Sequence, residues 1–360
     1  MTWFYDPRAT YEHNREHGPF GAFATPAEHA EPGVPEMDFL GNAVHRPFGI
    51  PAGPLVNAAF CEAAFEHRFD IAVYKTVRTR AHPAHPFPHT LAVHVEGDLL
   101  PDRAAPVLAD DALDQATSIS NSFGVPSRNP DEWQPDMARA VASAAEGQVL
   151  VGSFQGSRPL AQGGDAAYIA DHVTAARLTA QTGAPVLEMN LSCPNEGTGS
   201  LLCFDTELVA RIAAAVKEEI GDLPLVLKLA YFADDAALRL LVNATAGIVD
   251  GYAAINTIPA TLVDAGGQQA LPGKGRERAG VCGASIRWAG LDMVRRLVRH
   301  RADAGADVTI IGVGGVMTAD DAETYAAAGA DAVMSATGAL LNPGLGAAVR
   351  RVSWPSFTAL

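Results

Sequence analysis

The pattern that most constrains this chain is a series of eight short apolar runs, separated by longer amphipathic stretches. The runs are FGIPAG (48–53), IAVYKT (71–76), QVLVGSF (148–154), PVLEMN (185–190), PLVLKL (224–229), GYAAIN (251–256), VTIIGVGG (308–315) and AVMSAT (332–337). Each is apolar throughout rather than alternating, as expected of parallel strands covered on both faces. The clearest helical stretches are 165–183, 205–221, 285–305 and 318–330. The first two have an acidic start and a glycine at the end. This alternation predicts a parallel-sheet α/β fold, and eight strands favour closure into a TIM (β/α)8 barrel over an open doubly wound sheet. Residues 1–44 read as an N-terminal extension packing on the barrel, and 45–360 as the barrel itself.

With 48% hydrophobic residues the chain can bury a large core without disulfides or a metal. Its formal net charge of −15 repels phosphate backbones and anionic lipid, so nucleic acid and membrane are not expected partners. The four cysteines (Cys61, Cys193, Cys203, Cys282) form no C-x-x-C pair, so no metal site is expected. Their scatter suits a reducing cytoplasm. No apolar run reaches the roughly 18 residues of a membrane span.

Two stretches break the alternation. Residues 77–120, with the string RAHPAHPFPHT, follow the second run, and residues 257–284 follow the sixth. Insertions after barrel strands lie on the face where active sites are built, so both are candidate lids.

Polar residues gather at the ends of the runs: Gly53, Lys75, Asn190, Lys228, Asn256, Gly314 with Gly315, and Thr337 with Gly338. A lysine ending an apolar strand is costly to bury unless it meets an anion or an electron-rich ring. Glycine-rich turns after the seventh and eighth strands are the usual barrel phosphate site. The segment Asn190-Leu191-Ser192-Cys193-Pro194-Asn195 places a cysteine at a strand exit between two amides. The nearest histidine in sequence, His172, lies within a helical stretch, which favours proton transfer over nucleophilic catalysis for Cys193.

NLSCPN, NSFGVP (121–126), INTIP (255–259), Gly-Val-Cys-Gly (280–283), IGVGG (311–315) and TGAL (337–340) occur together in order. In these motifs the chain resembles the dihydroorotate dehydrogenases of the soluble, cysteine-base class over about residues 45–345. The resemblance implies FMN as cofactor and Cys193 as the base that removes the C5 proton while the C6 hydride passes to flavin N5. It implies that Lys75 and Lys228 are catalytic and contact the flavin. Asn121, Phe123, Gly124, Val125, Asn190, Asn195, Asn256 and Thr257 would hold the substrate. Ala52, Gly53, Asn190, Gly283, Gly314, Gly315, Thr337 and Gly338 would hold the cofactor. A homodimer and an electron-transfer subunit are the partners the resemblance brings.

The chain departs from the family in four places, one of them an insertion at 90–117 that separates the string after Lys75 from NSFGVP. TVRTRAHPAHPFPH follows Lys75 where a Glu-Gly-Asn-Pro string is usual, Ser127 follows NSFGVP where Asn is common, and Thr337-Gly338 stands where Gly-Thr or Tyr-Thr is usual. These departures border the substrate side and keep a second reading open, an FMN enzyme acting on another dihydropyrimidine or a specialised metabolite. A tRNA dihydrouridine synthase would need a basic RNA-binding surface that the acidic chain lacks. A non-catalytic phosphate-binding barrel would leave Cys193, Lys228 and the asparagines without a purpose.

Overall fold

The computed structural model describes residues 3–25, 33–103, 105–158, 164–192 and 201–354. Eight strands, β1 (Phe48–Ile50), β2 (Ile71–Val77), β3 (Val149–Phe154), β4 (Val186–Asn190), β5 (Leu225–Leu229), β6 (Gly251–Ala254), β7 (Thr309–Val313) and β8 (Ala332–Met334), pair in sequence order. All pairs are parallel, and β8 pairs with β1 to close the ring. The fold is the TIM barrel expected from the eight runs. Several strands end before their apolar run does: β1 stops at Ile50, β6 at Ala254 and β8 at Met334. Residues beyond them line the mouth of the barrel.

The helices between the strands follow their sequence signals. Thr206–Ile220 starts at Asp205, whose carboxylate accepts from Leu208 N at 3.1 Å, and buries Leu208, Ile212, Val216 and Ile220 along one face. Ala319–Ala327 opens on a capping box between Thr318 and Asp321. Arg287–Ala304 stops at Gly305, which adopts the left-handed conformation open to glycine. Ala58–Glu66, Pro130–Ala142 and Asp235–Thr245 complete the surround and were not among the clearest helical stretches in the sequence.

Although each strand is apolar on both faces, the barrel interior has its own period of two. Ile71 and Val73, Val149 and Val151, Val186, Val226, Ala253, Ile311 and Val313, and Ala332 and Met334 form one inner cluster. Phe39 and Val44 of the antiparallel hairpin Met37–Phe39/Asn42–Val44 join that cluster and plug the N-terminal end of the barrel. Two residues further along, the same inward rows turn polar: Lys75 follows Val73, Ser153 follows Val151, Glu188 follows Val186, and Lys228 follows Val226.

The two insertions meet in a second closed sheet of five short strands: Ala92–Val93, Val107–Asp110, Ser118–Asn121, Ile258–Val263 and Arg278–Gly283. Ser118–Asn121 pairs antiparallel with Arg278–Gly283, which joins chain segments more than 150 residues apart. Just ahead of that last strand, the buried Arg276 donates to the carbonyls of Pro86, Pro88 and Ser122 at 2.6–3.1 Å.

Phe39 is 1% exposed and sits in the inner cluster. Phe39→Ala is expected to cost ~3–5 kcal/mol, the usual range for emptying a buried phenylalanine site. Denaturant unfolding monitored by tryptophan fluorescence measures it. A loss below about 1 kcal/mol would show that the hairpin contributes little to the barrel core.

Candidate active site

Above the polar inner layer lies a cleft of about 1210 Å³, its open mouth included. Ala52 and Gly53 beyond β1, Lys75 on β2, Asn190 at the end of β4, Lys228 on β5, Asn256 and Thr257 beyond β6, and Thr337 beyond β8 all line it. Asn121, Phe123, Gly124 and Val125, which begin at the edge of the small barrel, line it as well.

Gly283, Gly314, Gly315 and Gly338 are not among the lining residues. A Cβ on Gly315 would lie 2.6 Å from Arg287 Cβ, and one on Gly338 would lie 2.5 Å from the Val316 carbonyl oxygen. At Gly315 and Gly338 a side chain would therefore collide with its surroundings. Cys193 and Asn195 lie outside the described residues.

The cleft also contains groups that the motif reading passed over. Lys75 and its neighbour Thr76 both line it, because the register of β2 against β3 shifts between Tyr74 and Val77 and lets consecutive side chains face the same side. Thr76 Oγ1 and Ser153 Oγ are 2.9 Å apart, and Ser153 Oγ donates to Glu188 Oε1 at 3.1 Å. With Ser153 donating to the carboxylate, the Thr76 hydroxyl donates to Ser153, so the chain of bonds runs toward Glu188. Glu188 is a carboxylate inside an apolar run, two residues before Asn190, and that position was its only sequence signal. Trp3, Tyr5 and Pro7 of the N-terminal segment also line the cleft, and nothing in their sequence spacing announced it.

Charge in this layer is tightly held. Lys228 and Glu188 are both buried. Burial draws the Lys228 ammonium down from its ordinary pKa, and the Glu188 carboxylate opposes that shift. Burial likewise pushes the Glu188 carboxyl up, against the pull of Lys228 and the Ser153 hydrogen bond. The amides form a second network. Asn190 Nδ2 donates to Gln155 Oε1 at 2.7 Å, while Asn190 Oδ1 accepts from Ser192 Oγ at 2.9 Å. Asn256 Nδ2 donates to the same Ser192 Oγ at 2.9 Å. Two amide planes are thus locked across the exits of β4 and β6, which suits recognition of a flat heterocycle edge by fixed donors and acceptors.

Burial raises the thiols of the three described cysteines: Cys61 well up, Cys203 to about 12 and Cys282 to about 11. Cys282 lines the cleft as a protonated thiol, with Sγ 3.5 Å from the Ile119 carbonyl oxygen.

Fold and site together define a TIM-barrel enzyme whose strand ends present lysines and amides to a planar polar ligand. Comparison with known proteins narrows the class. A protein-family model described as "Dihydroorotate dehydrogenase" matches residues 103–348. The dihydroorotate dehydrogenase of Dictyostelium discoideum is 30% identical over 353 residues, 94% of each chain. The catalytic subunit of dihydroorotate dehydrogenase B (NAD(+)) from Desulforudis audaxviator is 34% identical over 177 residues, 49% of this chain and 54% of its own. The corresponding Bacillus pumilus subunit is 28% identical over 239 residues, 64% of this chain and 74% of its own. The chain belongs to the dihydroorotate dehydrogenase family.

The raised carboxyl of Glu188 carries a pH signature. Above the ordinary value of 4.5 the unfolded chain releases this proton while the native protein still holds it. Stability from this group is therefore present at low pH and lost as pH rises across that window. Glu188→Gln is expected to flatten this part of the melting-temperature profile of the ligand-free protein, scanned between about pH 4 and 8. Parallel profiles for the two proteins would refute the assignment.

Proposed function

We propose that this chain oxidises dihydroorotate to orotate in pyrimidine biosynthesis, with FMN as bound cofactor and Cys193 as base. The observation that carries this reading is the meeting of Lys75, Lys228, Asn190 and Asn256 in one cleft at the carboxyl ends of the strands, in a chain of this family. The donor set suits the cofactor. Among the described lining residues two lysines face one carboxylate, Glu188, which favours an electron-rich ring carrying a phosphate.

When bound, FMN supplies the acceptor for the hydride that leaves C6 of the substrate. Ala52 and Gly53 would lie against its ring system, with Asn190, Lys75 and Lys228 along the polar edge. Gly283, Gly314, Gly315, Thr337 and Gly338 would surround the ribityl phosphate through backbone N–H groups. Asn121, Asn190, Asn195, Asn256 and Thr257 would hold the pyrimidine amides and carboxylate, together with the backbone of Phe123, Gly124 and Val125. Cys193, as thiolate, would take the C5 proton. The C5–H and C6–H bonds break, the C5–C6 double bond forms, and the locked amides stabilise the developing enolate.

The working unit in this reading is a homodimer in the cytoplasm. Among the described residues no helix is long and apolar enough to cross a membrane. The relative that matches end to end is not named as a subunit, whereas the two NAD(+)-linked catalytic subunits match over shorter stretches. This favours a small soluble acceptor over a separate electron-transfer subunit. A second reading, oxidation of another dihydropyrimidine, draws on the histidine-rich segment that backs Phe123 on the substrate side.

The protein is expected to purify yellow, with FMN released on denaturation. Cys193→Ala should keep the flavin but slow its reduction by dihydroorotate ~10²–10⁴-fold in stopped flow, the usual cost of losing a general base. Unchanged reduction by the variant would remove Cys193 from the mechanism, and a colourless protein that cannot be reconstituted with FMN would overturn the reading. Lys228→Ala should lower FMN occupancy, and full occupancy with normal turnover would count against its role.

A further inference from the structure

The histidine-rich segment 82–91 lies along 118–127, the stretch that carries the cleft-lining residues Asn121 and Phe123–Val125. His82 and Ser127 exchange backbone hydrogen bonds of 2.8 and 2.9 Å, His85 N donates to the Phe123 carbonyl at 3.0 Å, and Ser122 N donates to the His89 carbonyl at 3.1 Å. Side chains complete the cradle. The His89 ring stacks on Phe123 with centroids 4.8 Å apart and planes 22° from parallel, while Tyr5 meets Phe123 edge-on at 5.6 Å. The His85 ring lies so close under Gly124 that a Cβ there would be 2.5 Å from it. Arg276 reaches in from the other insertion, donating to Ser122 Oγ at 3.0 Å and to the Pro88 carbonyl at 2.8 Å.

The turn held in this way is strained. Val125, a β-branched residue, has φ of +52°, next to Gly124 at +79°. Such a conformation persists only where its surroundings over-determine it. Arg78 Nε donates to the Val125 carbonyl at 3.1 Å, and the backbone bonds above fix both flanks. Burial lowers the pKa of both His85 and His89, so each ring packs as a neutral imidazole beside Arg276. His89 Nε2 donates to the His85 carbonyl at 2.7 Å, which fixes the orientation of the stacked face.

We propose that the histidine-rich insertion is the positioning device of the substrate loop, with His89 a positioning residue that sets substrate affinity through Phe123. The inference rests on the reading of Phe123–Val125 as substrate-side residues. It adds that this chain holds the loop with a neutral aromatic stack, in the place where the family usually carries a different string after the lysine.

The test is stopped-flow reduction of the FMN holoenzyme, with the substrate Kd and the limiting rate separated. The donor is dihydroorotate, or whichever member of a dihydropyrimidine panel reduces the wild type. His89→Leu removes the stack while filling the space, and His89→Phe keeps the stack without the imidazole. His89→Leu is expected to weaken Kd roughly 3- to 10-fold, the weight of one aromatic pair, with the limiting rate and FMN occupancy close to wild type. His89→Phe is expected to recover most of the affinity. An unchanged Kd in His89→Leu overturns the proposal. So does equal loss in both variants accompanied by lower FMN occupancy, since that marks a general packing role. If His89→Leu does not fold, a His89→Phe protein with Kd weakened more than about 10-fold overturns it, and one near wild type supports it. Failure of the wild type to be reduced by dihydroorotate, with reduction by another dihydropyrimidine, revises the substrate and leaves the cradle to be judged by the same ratios.

Discussion

The structure depends on burying Lys228 beside Glu188 at the level where the barrel interior turns from apolar to polar. Burying opposite charges near one another is rarely a source of net stability, because desolvation of both groups costs as much as their attraction returns. The barrel meets that cost with geometry. Eight parallel strands in sequence order place the pair two residues beyond Val226 and Val186, above a floor sealed by Phe39 and Val44. The hydroxyls of Thr76 and Ser153 then extend the carboxylate's hydrogen bonding across two further strands. The apolar floor keeps water from below, and the polar layer above is left facing the cleft. An arrangement that is expensive for stability but faces a ligand space is where function is expected.

The eight strands were legible because a strand covered on both faces carries an uninterrupted apolar run, and closure needs all of them. The alternation inside those runs was much less legible. In PVLEMN the carboxylate of Glu188 stands between Leu187 and Met189, and sequence alone does not say which parity faces the barrel axis. Pairing does: Ser153 is opposite Glu188 on β3, and Asn190 is opposite Lys228 on β5. The same reasoning explains the shortened strands. Ala52, Asn256 and Thr337 extend apolar runs in sequence, yet they lie past the ends of the strands and line the mouth.

What the sequence could not display was the second closed sheet. Its strands are two to six residues long and pair residues of the two insertions more than 150 positions apart, so no local period marks them. Their register is set by long-range partners, of which Arg276 on Pro86, Pro88 and Ser122 is the clearest. Trp3 and Tyr5 entered the cleft for a similar reason. Phe4 N bonds to the Leu340 carbonyl at 3.1 Å, carrying the N-terminal segment past the last helical turns toward Phe123.

The two networks divide the work of the site. The inner layer, from Thr76 to Lys228, belongs to the barrel itself and is locked by strand pairing, so its position follows from closure alone. The cleft-lining loop at 121–127 belongs to the insertions and includes a residue, Val125, in a conformation that its own sequence disfavours. A loop of that kind can be re-aimed by changing what lies behind it, without touching the lysines or the amides. The departures of this chain from its family fall mainly on that loop and its backing, the histidines at 82–89 and Ser127. On the proposed reading, substrate preference can therefore drift while the chemistry of the barrel mouth stays in place, because the two are held by different parts of the fold.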